Sequence, residues 1–120
     1  HLNILVSELG VSWVPYFYHR LTEGLKIYQE FDLSEERILE ILQCNFKFTV
    51  QFDFPYLNDK SNDSPITKEN IMFGSDFPHV ESTYGETENL ARKIIARFGK
   101  EAAEHLLYKN AKKSFRLLEV

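Results

Sequence analysis

Apolar and polar positions change period several times along this chain. Ile4-Leu5-Val6 is a short unbroken apolar run, and Leu2–Glu8 around it reads as a strand covered on both faces, ended by Gly10. Trp13, Phe17, Leu21, Leu25 and Tyr28 then recur every three or four positions, with His19, Arg20, Glu23 and Lys26 mostly between them. That spacing predicts an amphipathic helix over 13–30, with Pro15 in its first turn, where a missing N–H matters little. Ser34, Glu35 and Glu36 offer a capping hydroxyl and two acids that complement a helix dipole, and Ile38, Leu39, Ile41 and Leu42 supply the buried face of the helix they start.

The period then drops to two. Phe46, Phe48, Val50, Phe52 and Phe54 alternate with Lys47, Thr49, Gln51 and Asp53, which predicts a strand. Residues 57–65 are polar and turn-rich, a loop that ends at Pro65. Ile71-Met72-Phe73 is a third short strand, closed by Gly74-Ser75-Asp76. Leu90, Ile94, Ile95 and Phe98 form one helical stripe that stops at Gly99. Ala102, Ala103, Leu106 and Leu107 begin another helix, which Ala111, Phe115 and Leu118 extend or follow with a short final one.

Strands alternating with helices, two of the strands short and wholly apolar, predict an α/β fold of parallel βα units. Three such strands leave two unpaired edges, which intact proteins normally cover. A closed (β/α)8 barrel takes roughly 250 residues, so these 120 correspond to about three of its βα units, as one domain over 1–120 without internal repeats. The chain opens at His1, inside a strand pattern, so more chain is expected before it.

Composition narrows the function classes. A hydrophobic fraction of 43% with 27% charged residues describes one globular unit with a modest core. A net charge of −4 argues against nucleic acid, whose phosphates need clustered Lys and Arg. No apolar run approaches the ~20 residues that cross a bilayer. Cys44 has no cysteine to pair with, so a reducing, cytoplasmic setting is expected.

The sharpest chemical feature is Asn70–His79, NIMFGSDFPH. Asp76 directly follows a short buried strand, at the strand end that carries active sites in α/β folds. Gly74 allows close backbone approach and Pro78 stiffens the exit. A carboxylate held there is a candidate metal ligand or proton acceptor, against the plainer reading of a turn or capping Asp. Ser75, Asp76 and His79 lie too close in sequence to form a nucleophilic relay. His19 and His105 lack ligand-spaced partners and read as surface or packing residues.

NIMFGSDFPH closely resembles the last-strand motif of the amidohydrolase-related family, which includes 2-amino-3-carboxymuconate-semialdehyde decarboxylase and resorcylate decarboxylases. Leu2–Arg20 (LNILVSELGVSWVPYFYHR) resembles the family's sixth strand and following helix, and Leu106–Leu117 (LLYKNAKKSFRL) its closing helix. The likeness spans nearly the whole chain in the family's order and implies strands 6 to 8 of a TIM barrel with its closing helices.

It also implies a catalytic divalent metal, usually zinc and sometimes manganese. The family's ligands are a His-x-His or Glu-x-His pair on the first strand, a His on the fifth and an Asp on the eighth. Asp76 matches the last, and the others are absent from this chain, which alone is expected to bind metal weakly or not at all. Where many decarboxylase relatives carry a catalytic His at the end of strand six, this chain has Glu8, on a connection one residue longer. Glu8 serves equally well as base, as partner to a metal ligand, or as a salt-bridged structural acid. That departure puts the familiar decarboxylation route in question.

Arg20 matches an arginine that in some decarboxylases reaches a neighbouring subunit's site to pair with a substrate carboxylate; the plainer reading is a solvated helix charge. His79 matches the family's terminal His, in a substrate-binding or a structural hydrogen-bonding role. In a barrel, Gln51 and Asp53 would point inward near the mouth, toward substrate. The implied activity is metal-dependent hydrolysis or carbon–carbon lysis (decarboxylation) of a small carboxylate- or carbonyl-bearing molecule, by a homo-oligomer when complete. The alternative is a non-catalytic barrel remnant that serves as a structural or self-associating module.

Overall fold

The computed structural model describes residues 2–28, 32–51 and 64–116. Phe52, Asp53, Phe54, most of the expected 57–65 loop and Leu118 lie outside them.

Three short strands, β1 (Ile4–Val6), β2 (Phe46–Val50) and β3 (Ile71–Phe73), form a parallel sheet in the order β1-β2-β3. Ile4 stands opposite Phe46, and Phe48 opposite Ile71. Between β1 and β2 run α1 (Val14–Ile27) and α2 (Glu35–Asn45); a single 3-10 turn, Lys68–Asn70, leads into β3. After β3 come α3 (Thr87–Phe98), α4 (Lys100–Glu104), a π-helical turn over His105–Lys109 and α5 (Asn110–Ser114). This is a mixed α/β architecture with a small parallel sheet, consistent with a piece of a barrel. The helical crossover of α1 and α2 lets β1 and β2 run parallel, because only a long connection returns the chain to the same sheet end.

Local signals are realised where backbone chemistry decides them. Ser34 caps α2 by accepting the Arg37 N–H at 3.2 Å, and Ile38 and Leu42 are buried. Gly99, at φ 80°, ends α3 after Phe98, a backbone conformation that suits a residue without Cβ. The core gathers Val14, Phe48, Val50, Ile71, Ile94 and Leu106, with Trp13 edge-on to Phe48 at 6.0 Å.

Two expectations about helix faces change. In α1 the buried residues are Val14 and Thr22, while Phe17, Leu21 and Tyr28 of the expected apolar stripe are exposed. That stripe faces an apolar groove of about 430 Å³ between α1 and α2, lined also by Leu25, Ile41 and Phe46. Ile95 is 44% exposed, one position round α3 from Ile94 at 1%; a 100° step per residue carries a neighbour off the packed face.

Two buried asparagines fix β3 in place. Asn70 donates from Nδ2 to the carbonyls of Leu42, Gln43 and Phe46 at 2.8–3.0 Å, and its Oδ1 accepts from Thr67 N–H and hydroxyl. Asn110 donates to the carbonyls of Lys68 and Ile71 and meets His105 at 3.3 Å. The first binds the end of α2 to the start of β3; the second ties the closing helices to the same point. Among the described residues no helix is long and apolar enough to cross a membrane.

Candidate active site

In a parallel sheet all strands end at the same edge, so whatever follows β1, β2 and β3 is brought side by side. Glu8 lies two residues beyond β1, Gln51 one beyond β2 and Asp76 three beyond β3. Cross-links hold the three exits together. Glu8 N–H donates to Thr49 Oγ1 at 3.1 Å, and Gly74 N–H to the Val50 carbonyl at 3.1 Å. A Cβ on Gly74 would stand 3.2 Å from Thr49 Cβ, so a larger residue there would require Thr49 to give by a few tenths of an ångström. The turn after β3 is closed by Thr83, buried, whose N–H donates to the Ser75 carbonyl at 2.9 Å.

Glu8 and Asp76 both adopt left-handed backbone, at φ 66° and 57°, which a residue with a Cβ occupies only at some cost. Two acids held this way at one sheet edge fit the pattern of strain gathered at functional sites. Glu8→Gly should therefore leave the fold intact and raise its stability by up to about 1 kcal/mol, while weakening cation binding at the cleft. Urea unfolding paired with Zn²⁺ titration checks it; a loss of stability would show that the Glu8 side chain holds the fold.

The cleft between these exits encloses about 420 Å³, lined by Ser7, Glu8, Ser12, Thr49, Gln51 and Asp76 among others. That volume falls within the range of small-molecule sites. Asp76 and His79 meet through Oδ1 and Nδ1 at 2.9 Å, the carboxylate side chain 11% exposed and the imidazole 61%. One donor atom from each of Glu8, Asp76 and His79 lies within 4.8 Å of the others. Two carboxylates and an imidazole form a hard-to-borderline donor set that suits a divalent cation. Such an ion would displace the proton that Asp76 and His79 share and supply Lewis-acid polarisation of a bound oxygen.

Asp76, first by hydrogen bond and then by charge, raises the His79 pKa above its ordinary 6.5, with smaller help from Glu8 and Glu81. A folded-state pKa above the unfolded one means the imidazolium stabilises the fold fully below pH 6.5, and that this contribution fades as pH rises through the folded value. NMR titration should give His79 a pKa above 6.5, and Asp76→Asn should bring it back toward that value. An unchanged pKa in the variant would deny the pairing.

The structure brings Glu8, Gln51, Asp76 and His79 together and leaves Arg20 elsewhere. Arg20 is exposed on α1 and lines the apolar groove between α1 and α2. Ser75 Oγ accepts from the Phe77 N–H at 3.4 Å, while His79 bonds Asp76. His19 is exposed, and His105 is half-buried against Asn110. The sequence offers Glu8 as base or as partner to a metal ligand and His79 as a substrate-binding or structural group; the structure sets donor atoms of both beside Asp76, and adds Thr49 and the closing bond of Thr83, which the sequence pattern does not single out. The usable signal was position: Glu8 and Asp76 each follow an apolar run by two or three residues.

A family model described as amidohydrolase matches residues 2–117, so the chain belongs to the amidohydrolase family. Divalent metal is the general cofactor of that family, and the three-donor cluster is where this chain could contribute ligands. No curated protein sequence matches the chain.

Proposed function

We propose that this chain forms strands 6 to 8 and the closing helices of an amidohydrolase (β/α)8 barrel, a metal-dependent enzyme acting on a small carbonyl- or carboxylate-bearing molecule. The observation that carries this reading is the meeting of Glu8, Asp76 and His79 at the shared C-terminal edge of three parallel strands, beside a cleft of small-molecule size. By resemblance the first and fifth strands would add the remaining ligands, the ion would be zinc or manganese, and the complete enzyme would be a homo-oligomer. Asp76, Glu8 and His79 would hold the cation, which supplies Lewis-acid polarisation of a substrate oxygen.

The chain's own residues have separate tasks. Asp76, largely sheltered from solvent, provides fixed negative charge at the cleft wall. His79, exposed and hydrogen-bonded to Asp76 through Nδ1, would hold its proton there only until a cation takes that place. Glu8, without a salt bridge among the described residues, is open to act as base toward a bound molecule. Both hydrolysis and decarboxylation use such parts, and evolved CO₂ marks the second.

Titration of the full chain with Zn²⁺ and with Mn²⁺ tests the cluster. One weak saturable site is expected, short of the first- and fifth-strand ligands, and Glu8→Gln and His79→Ala should each weaken it by at least roughly 10-fold. Absence of saturable binding, or binding indifferent to both variants, would reject this cluster as a ligand set.

A further inference from the structure

Away from the cleft, the groove between α1 and α2 keeps its apolar walls open. Phe17, Leu21 and Tyr28 of α1 and Leu33 before α2 line it and are each at least 36% exposed, while Ile38 and Leu42 line it from α2 and are buried. Apolar side chains exposed together in one concave place mark a binding site, where single exposed leucines do not. The groove shares no lining residue with the cleft.

Gly24 stands in the interior of α1 on the same wall. Glycine is among the poorest residues for a helix interior, and the fold supplies no steric reason for it here: a Cβ built on Gly24 would meet nothing within 4 Å. The missing side chain leaves a gap between Arg20 and Tyr28, which stand one turn to either side on the same face. At ~1.5 Å per residue those two lie about 12 Å apart along the helix, room for a chain of about eight carbons.

The charge of the walls narrows what that occupant is. Among the described residues the groove carries the guanidinium of Arg20 and no acid. Arg20 is in no described salt bridge, and Glu23, the acid one turn on, holds Lys26 at 2.8 Å. A volume of about 430 Å³ is that of a small-molecule site. A second copy docked symmetrically would bring two Arg20 side chains into one groove with no acid to offset them.

We propose that the α1–α2 groove is a second small-molecule site, one that takes an anionic amphiphile: an unbranched apolar chain of about eight carbons lies over Gly24 between the helices, with its anionic head on the Arg20 guanidinium. The head stays at the solvent-exposed rim, and burial of the chain supplies most of the affinity.

The test titrates the ¹⁵N-labelled full chain with octanesulfonate, with butanesulfonate and with octyltrimethylammonium. Octanesulfonate should bind saturably and shift backbone resonances within 17–28 and 38–46, leaving those of Glu8, Asp76 and His79 in place. Butanesulfonate, four methylenes shorter, should bind at least ~10-fold more weakly. Octyltrimethylammonium should also bind roughly 10-fold more weakly, although the net charge of −4 attracts it. Arg20→Met should weaken octanesulfonate roughly 3- to 10-fold and narrow that preference.

Gly24→Leu should fill the gap, weaken octanesulfonate at least ~10-fold and raise the unfolding midpoint by about 3 °C. A glycine that served the fold would instead lower the midpoint. Should the leucine variant not fold, Gly24→Ala carries the same test with a smaller loss of affinity. Shifts confined to the cleft, octyltrimethylammonium binding as tightly as octanesulfonate, or a lowered midpoint with unaltered affinity in the Gly24 variant would each overturn the proposal. A dimer that Gly24→Leu dissolves, with octanesulfonate unbound by the unaltered chain, would overturn it too and give the groove to a second copy.

Discussion

Asp76→Asn should lower the affinity of the full chain for Zn²⁺ by at least roughly 100-fold while the chain stays folded. The substitution keeps the size and planarity of the side chain and removes its charge. Partners one step removed from a metal typically account for 10- to 100-fold in affinity, so loss of a direct carboxylate donor should exceed that. Asp76 is also the donor most sheltered from solvent, at 11% side-chain exposure against 61% for His79, so its charge is the least screened of that pair. Circular dichroism establishes the fold, and competition against a chromophoric chelator reads the affinity. Near-unaltered affinity in a folded variant would remove Asp76 from the ligand set, and with it the match to the family's last-strand motif.

Asn70→Ala should destabilise the chain by about 3–5 kcal/mol, the largest stability effect expected of any single substitution here. Asn70 is fully buried, shares its two amide N–H groups among three carbonyls and accepts two Thr67 donors with its oxygen. Truncation strands those groups inside the protein, where each buried group without a partner costs roughly 1–3 kcal/mol before relaxation. Asn70 immediately precedes β3, so the same change should loosen the strand that positions Asp76. Asn70→Asp should be at least as damaging, because it replaces the amide donor with an acid facing three carbonyl oxygens. Urea unfolding measures both; a loss below about 1 kcal/mol would mean that the carbonyls find other partners.

Much of the fold was legible because it depends on neighbours in sequence. The Ser34 cap, the stop at Gly99, the two apolar strand runs and the period-two alternation from Phe46 each follow from side chains within a few positions of one another, so reading them required no knowledge of packing. Helix faces were less legible. Ile94 and Ile95 are equally apolar, and only the surface that α3 meets decides that the first is buried and the second exposed. In α1 the apolar stripe was correctly periodic, yet Val14 and Thr22 are the buried positions and the stripe faces an open groove. Periodicity defines a face and leaves open what covers it.

The site divides the same way. Asp76 stands out as a candidate from a short apolar strand followed by Gly-Ser-Asp, because a strand's end is a local property, and the family resemblance rather than that pattern sets it above a turn or capping Asp. Sequence by itself thus determined the element types, the parallel βα class, the amidohydrolase likeness and the candidacy of Asp76. Tertiary structure alone decided that Glu8 and His79 share one cluster with Asp76, that Gln51 lines the cleft beside Glu8 and Asp76, and that Arg20 does not. The reason is physical: Glu8 and Asp76 are 68 positions apart in the chain, and what joins them is the register of three parallel strands. That register is set by core packing around Phe48 and by the bonds of Asn70 and Asn110, none of which any local stretch of sequence contains.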